Sequence, residues 1–170
     1  RTWRLVRQVS RGEVGVSGEV KEPVLTQDKA MDDYELPWEL LNGFDDSNAE
    51  TAYSETEKFV LAGAGVRPFE RLQFLCGSEK VLMDMAYESA PFKRLLARIH
   101  EWNLRSFTLA ADAACDAVMF MDDWGSQNAM LVSPDMWRNY FKPLYREYSP
   151  MAEQPTHERH PTWKVNPIHI

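Results

Sequence analysis

Apolar residues recur at a spacing close to 3.6 through Phe92, Leu95, Leu96, Ile99, Trp102, Phe107, Ala110, Ala111 and Ala114. That period predicts a long amphipathic helix, opened by Ser89 with Pro91. Two shorter helical patterns precede it. Pro68 opens one that carries Phe69, Leu72, Gln73, Phe74 and Leu75 and that Gly77 ends, and Ser78 caps a second with Val81, Leu82, Met85 and Ala86 on one side. After the long helix, Cys115-Asp116 makes a short break before the apolar run Ala117-Val118-Met119-Phe120-Met121. A similar run, Lys58-Phe59-Val60-Leu61-Ala62-Gly63, stands before the helices. Both read as strands, and the first fits a fully buried parallel strand. Strand, helices, strand is the rhythm of a βα repeat and predicts a parallel α/β architecture.

The flanks are less regular. Residues 3–25 alternate apolar and polar positions with Gly12, Gly15 and Gly18 between them, which predicts short strands and a hairpin. Residues 26–50 are polar and punctuated by Pro37 and Asn42-Gly43, predicting loop and short helix, with a further short helix over 49–57. Ser133-Pro134-Asp135 carries a capping hydroxyl, a first-turn proline and a first-turn acid. It opens a helix bearing Met136, Trp137, Tyr140, Phe141, Leu144 and Tyr148, which Pro143 kinks or divides. From 149 to 170 the periodicity stops, and this tail reads as irregular and peripheral.

Composition narrows the classes. Six Trp, six Tyr and eight Phe in 170 residues supply enough apolar area for a core and exclude a disordered chain. Two cysteines exclude a disulfide scaffold. The net charge of −7 argues against non-specific nucleic-acid binding. No apolar run reaches the roughly 18 residues of a membrane span, and no signal peptide opens the chain, so a cytoplasmic setting is expected. Residues 23–57 hold ten acidic side chains against one basic. This stretch reads as a solvated connector in preference to a metal site. His157, His160 and His169 in the tail have HxxH spacing instead of HExxH, which makes a poor metal motif.

In parallel α/β folds ligands bind at the carboxyl ends of the strands. Those ends here are residues 63–67 and 122–127. The run Asp122-Asp123-Trp124-Gly125-Ser126-Gln127 offers two carboxylates, a hydroxyl, an amide and an aromatic face. Successive strand residues point to opposite sides, so one Asp faces a cleft and the other is free to bond loop amides. General acid/base chemistry and loop capping both fit this run. Arg67 either meets a carboxylate or phosphate of a ligand or forms a surface ion pair. Gly63 and Gly65 lack the third glycine of a nucleotide loop and read as turn residues. Tyr53, Tyr87, Trp102 and Trp137 read as packing residues, and Cys76 and Cys115 as small buried hydrophobes.

The block from Phe120 through Gln127, followed by Leu131-Val132-Ser133-Pro134-Asp135-Met136-Trp137-Arg138 and Phe141-Lys142-Pro143, resembles the uroporphyrinogen decarboxylase family. The runs 58–63, Phe69-Glu70-Arg71-Leu72, Phe74-Leu75-Cys76-Gly77 and Leu82-Met83-Asp84 are similar to the same decarboxylase-like branch, and the resemblance covers roughly residues 14–148. It implies a lyase with a TIM (β/α)8 barrel, of which residues 1–148 are a part and 149–170 a tail foreign to the family. A whole barrel takes about 250 residues, so the chain is expected to be a fragment.

The activity implied is the decarboxylation of uroporphyrinogen III to coproporphyrinogen III in porphyrin biosynthesis, with no cofactor and with a homodimeric full-length protein. The alternatives are a zinc-dependent methyltransferase of the same superfamily, which works with a corrinoid partner on a methylated compound, and an inactive fragment. The candidate catalytic residues are Asp122 and Asp123, and the candidate substrate-binding residues are Arg67, Gln73, Trp124 and Gln127. Asp123 stands where the family's decarboxylases usually carry a substrate-contacting Ser. Gln73 is the nearest equivalent of their tyrosine in the helix 69–76. The pyrrole-binding Asp and the carboxylate-binding arginines of those enzymes would precede Arg1, and the methyltransferases' zinc ligands would follow residue 148.

Overall fold

The computed structural model describes residues 22–152. The expected hairpin over 3–25 therefore lies almost wholly outside the described residues, as do His157, His160 and His169. The architecture is mixed α/β, mostly helical, with a small parallel sheet of two strands. In order, the elements are α1 (Asp28–Asp33), α2 (Glu39–Asn42), α3 (Ser47–Ser54), β1 (Leu61–Gly63), α4 (Pro68–Cys76), α5 (Ser78–Ala86), α6 (Ala90–Asp112), β2 (Ala117–Met119), α7 (Pro134–Tyr140) and α8 (Lys142–Ala152). Among the described residues, no helix is long and apolar enough to cross a membrane.

Helix α6 is the spine. Ser89 caps it by accepting the Phe92 amide at 3.5 Å. Its apolar stripe buries Phe92, Leu95, Leu96, Ile99, Trp102 and Phe107. Around the first half gather Met31, Phe69, Leu72, Val81, Met85 and Phe141, which form the larger core. Phe107 and Ala110 of the second half pack with Val66, Ala64 and Tyr148 under the sheet. Two polar side chains interrupt the stripe: His100 and Asn103 are buried. His100 is held between α6 and α8, with Nδ1 at 2.9 Å from the Tyr148 hydroxyl and Nε2 at 3.1 Å from Glu147.

The helix boundaries follow local chemistry, with two departures from expectation. Ser78 does not cap α5; it is the first helical residue, and its hydroxyl accepts from Gln73 Nε2 at 3.3 Å. Gly77, at φ 82°, closes α4 and opens α5, a left-handed conformation that favours glycine. A Cβ there would also stand 3.2 Å from Pro23 Cγ. The helix expected over 134–148 is divided, with α7 ending at Tyr140 and α8 starting at Lys142. Pro143 falls in the first turn of α8, where a missing N–H has no helical partner to lose. The helix runs on to Ala152, so the start of the tail is regular and not irregular.

The acidic segment is more than a solvated connector. Asp32 makes a two-pronged bond with Arg94, and Asp28 meets Lys80. Arg98 donates to the carbonyls of Met31, Asp32 and Tyr34, which closes the open end of α1. Tyr87, expected to pack, is 75% exposed. Both cysteines are buried, and burial pushes the Cys76 thiol up to about 12, which suits a packing role and not a nucleophile.

Strands β1 and β2 pair in parallel, Leu61 beside Ala117 and Gly63 beside Met119. The Ala64 amide donates to the Met119 carbonyl at 2.9 Å and extends the ladder. One carboxylate fixes its start: Asp116 accepts the Val60 amide at 2.7 Å and the Tyr53 hydroxyl at 2.8 Å. The face carrying Ala62, Ala64, Val118 and Phe120 packs on α6 and α8. The other face, with Leu61 and Met119, is exposed. The 58–63 strand is thus not fully buried, because among the described residues helices cover one side of the sheet alone.

Asp116→Ala leaves the Val60 amide and the Tyr53 hydroxyl without this acceptor. It should lower the unfolding free energy by about 1–3 kcal/mol in urea titrations. An unchanged urea midpoint would contradict the anchoring role of Asp116.

Candidate functional site

The loops that leave β1 and β2 meet at their carboxyl ends, as parallel pairing requires. The first loop, Ala64 to Arg67, leads into α4. The second, from Phe120, carries Asp122. Helix α4 starts with a deficit: its N-cap is Arg67, whose side chain caps no amide, and Pro68 follows at the first helical position. The free amides of the second and third helical positions need an acceptor from elsewhere. Asp122 supplies it across the strand ends, taking the Phe69 amide at 2.9 Å through Oδ2 and the Glu70 amide at 2.8 Å through Oδ1. Negative charge at a helix N-terminus is favourable.

The same carboxylate accepts two more donors. The Tyr145 hydroxyl of α8 donates to Oδ2 at 2.9 Å, and the Asp123 amide reaches Oδ1 at 3.2 Å. A carboxylate offers about four lone-pair positions, so Asp122 is saturated by the protein itself. Burial raises its pKa above the ordinary aspartate value, and the four donors oppose that rise. Tyr145 is displaced upward as well, first by burial and then by the charge of Asp122.

Trp124 completes this hub. Its indole N–H donates to the Tyr145 hydroxyl at 3.1 Å. Its ring stacks on Phe69 at 4.6 Å between centroids with an interplanar angle of 11°, and meets Phe141 edge-on at 4.5 Å. Asp122, Trp124, Tyr145, Phe69 and Phe141 therefore join the β2 loop, α4, α8 and the α7–α8 junction. Of the six sequence-derived site residues, Asp122 and Trp124 are built into this joint.

The others divide. Asp123 is exposed, and its carboxylate has one long contact, the Gly125 amide at 3.4 Å. Beyond it, the chain folds back: the Gly125–Met130 bridge, with the Ser126 amide and hydroxyl both on the Ala129 carbonyl, holds Gln127 and Asn128 at the exposed tip. Arg67 is half-exposed at the α4 end and pairs with Glu70 at 2.7 Å. Gln73 does not join this group. It sits one turn further along α4, bonded to Ser78.

The strand-end rim thus presents Asp123, Gln127 and the Arg67–Glu70 pair to solvent above a fixed hub. Such a rim offers acceptors for ligand N–H groups, an amide for either role and one guanidinium for an anion. No group of three or more His, Cys, Asp or Glu side chains among the described residues is arranged to hold a metal ion. Sequence reasoning missed Tyr145 and Glu70. Tyr145 falls 23 residues beyond Asp122 within a helical apolar pattern, which gave no sign of a polar partner.

A scan against protein-family models, a search of curated proteins and a search of solved structures each found no match to this chain.

Asp122→Asn replaces one acceptor oxygen with a donor that opposes an amide or the Tyr145 hydroxyl. It should cost about 2–4 kcal/mol of stability, whereas Asp123→Asn should stay within about 0.5 kcal/mol. Equal effects in urea titrations would contradict this division of roles. The pH dependence has a defined sign. The folded chain protonates Asp122 more readily than the unfolded chain does, so this group's contribution is full below the ordinary aspartate pKa and declines as pH rises through the higher folded value. Carboxyl carbon NMR should place the Asp122 midpoint above 3.8, and a midpoint at or below that value would contradict the assignment.

Proposed function

We propose that this chain is part of a (β/α)8 barrel of the uroporphyrinogen decarboxylase type, and that its strand-end rim receives a tetrapyrrole for decarboxylation. The observation that carries the reading is the division of labour between adjacent carboxylates. Asp122 is consumed in holding two strand ends, α4 and α8 together, so Asp123 is displayed at the carboxyl end of β2 with its lone pairs almost unused. Ligand sites of parallel α/β barrels lie at that end.

The chemistry asks for such a group. Loss of carbon dioxide from an acetate arm of a pyrrole follows protonation of the ring, which places positive charge on the pyrrole N–H. An acceptor carboxylate against that N–H stabilises the cation as it forms. Carbon dioxide then departs with its bond pair left on the ring system, the arm carbon takes up a proton to become a methyl group, and the ring gives up the proton it first received, so that one proton is consumed for each carbon dioxide released. In this account Asp123 adds its carboxylate to the acceptors around that N–H, from the position where the family's decarboxylases usually carry a substrate-contacting Ser, Gln127 bonds a neighbouring arm, and Arg67 exchanges Glu70 for a substrate carboxylate. The rim sets Asp123 and Glu70 beside Arg67, with the Asp122 carboxylate beneath them, so cations for the remaining substrate carboxylates must come from other parts of the barrel.

The test is anaerobic incubation of a whole barrel that includes this chain with uroporphyrinogen III, followed by chromatography of the oxidised porphyrins. Stepwise loss of carboxyl groups is expected, with Asp123→Ala lowering kcat/KM by about 10²-fold or more while the fold stays intact. Absence of both carboxyl loss and tetrapyrrole binding would overturn the reading.

A further inference from the structure

We infer that Arg71 and Tyr34 form a binding site for one oxyanion group, the carboxylate or phosphate of a small molecule, beside the buried ring of Trp102. Arg71 stands on α4 one helical turn beyond Arg67. Its guanidinium is half-buried and sits over Trp102, 5.7 Å from the ring centroid. Trp102 is itself fixed, buried in the α6 stripe with its indole N–H on the Pro37 carbonyl at 3.5 Å. An aromatic face attracts a guanidinium, but it leaves the N–H donors around the rim of that group without acceptors. Among the described residues Arg71 makes no ion pair and no side-chain hydrogen bond, and the adjacent Glu70 is committed to Arg67 at 2.7 Å. This is unusual in a chain with 26 acidic side chains against 19 basic ones. The arginines nearby on α6 are matched, Arg94 by Asp32 and Arg98 by three carbonyls. A charge drawn out of water without a counter-charge is costly. Burial accordingly lowers the Arg71 pKa from its ordinary value, and the charge of Arg67 lowers it further.

Tyr34 supplies the second donor. It follows α1 as the C-cap, and Arg98 holds its backbone carbonyl at 2.9 Å. Its side chain is half-buried, and its hydroxyl has no hydrogen-bond partner among the described residues. Burial raises the pKa of this hydroxyl, and the positive charge of Arg71 opposes the rise, so the two groups share one electrostatic environment. Neither is sealed from solvent, and an ion can reach both. A planar guanidinium fork matches a carboxylate or phosphate edge with two parallel N–H bonds, and the phenol O–H adds a third donor. This donor set satisfies one oxyanion group. A polyanion such as a nucleic acid is disfavoured by the net charge of −7 and by the exposed Glu35 and Glu39 that follow Tyr34. The site uses neither Asp123 nor Gln127 and exists whether or not the rim binds a tetrapyrrole.

Titration of the full chain with inorganic phosphate and, separately, with acetate tests the site, at constant ionic strength and with NMR detection of the Arg71 Nε–H and the Tyr34 ring. Both signals should shift saturably at millimolar concentrations of at least one anion, and the tighter of the two identifies the ligand as phosphate or carboxylate. Read at the Tyr34 ring, Arg71→Gln should weaken binding about tenfold or more, and Arg71→Lys, which keeps the charge but loses the fork, should fall between it and the wild type. Read at the Arg71 Nε–H, Tyr34→Phe should weaken binding about threefold. Arg138→Gln removes a guanidinium already paired with Asp135 and should leave the affinity unchanged. Circular dichroism checks that the variants are folded, and the wild-type titration needs no variant. Shifts that fail to saturate with either anion would overturn the assignment. So would binding that persists undiminished in Arg71→Gln, or an Arg71 guanidinium already paired with Glu13 or Glu19 in the free chain.

Discussion

The carboxylate of Asp122 is the constraint on which the strand-end region depends. A helix that begins Arg67-Pro68 has no acceptor of its own for its first free amides, and the loop after β2 would be anchored weakly by the short sheet. One side chain answers both needs. It caps α4 through Phe69 and Glu70 and, through Tyr145, draws in α8. Burying that charge is costly, and the raised pKa records the cost. Four donors and the positive end of α4 offset it. Trp124 then seals the joint from solvent by stacking on Phe69 and donating to Tyr145.

A second carboxylate plays the matching part at the opposite end of the strands. Asp116 ties Val60 to the start of β2 and reaches Tyr53 in α3. The sheet between the two has only three paired residues per strand, too few to define the register unaided. Its geometry is set from both ends by side chain-to-backbone bonds, and from one face by Phe107, Ala110 and Tyr148. Among the described residues no helix covers the other face, where Leu61 and Met119 are exposed.

Features with local causes were legible in the sequence. The α6 stripe repeats over many turns, and Ser89 and Ser133 cap the helices they immediately precede. Pro68 and Gly77 bound α4 as their backbone preferences require. Alternation at Asp122-Asp123 implied that one carboxylate would face a cleft while its neighbour was free to bond loop amides, but not which of the two, nor which amides. The partners of Asp122 lie 52 and 53 residues earlier and 23 later, and no periodicity encodes such contacts. A signal was nevertheless present: a helix with proline at its first position and arginine at its cap must borrow an acceptor. The burial of the strands was misjudged for a related reason. An apolar run states that two faces want cover, and tertiary structure decides which of them receives it. The packing role of Tyr87 failed to follow from spacing because it depends on what stands opposite its helix, and there the ring meets open solvent.

The central claim, that Asp122 is a structural joint shared by α4 and α8, is tested most directly by a double-mutant cycle between Asp122→Asn and Tyr145→Phe, read from urea unfolding. Groups that share one bonded network couple by about 0.5–3 kcal/mol. Tyr145→Phe should be markedly less damaging once Asp122 has been altered, with a coupling inside that range. Strictly additive effects would contradict it, because they would mean that the two side chains act independently and that the joint does not exist in solution.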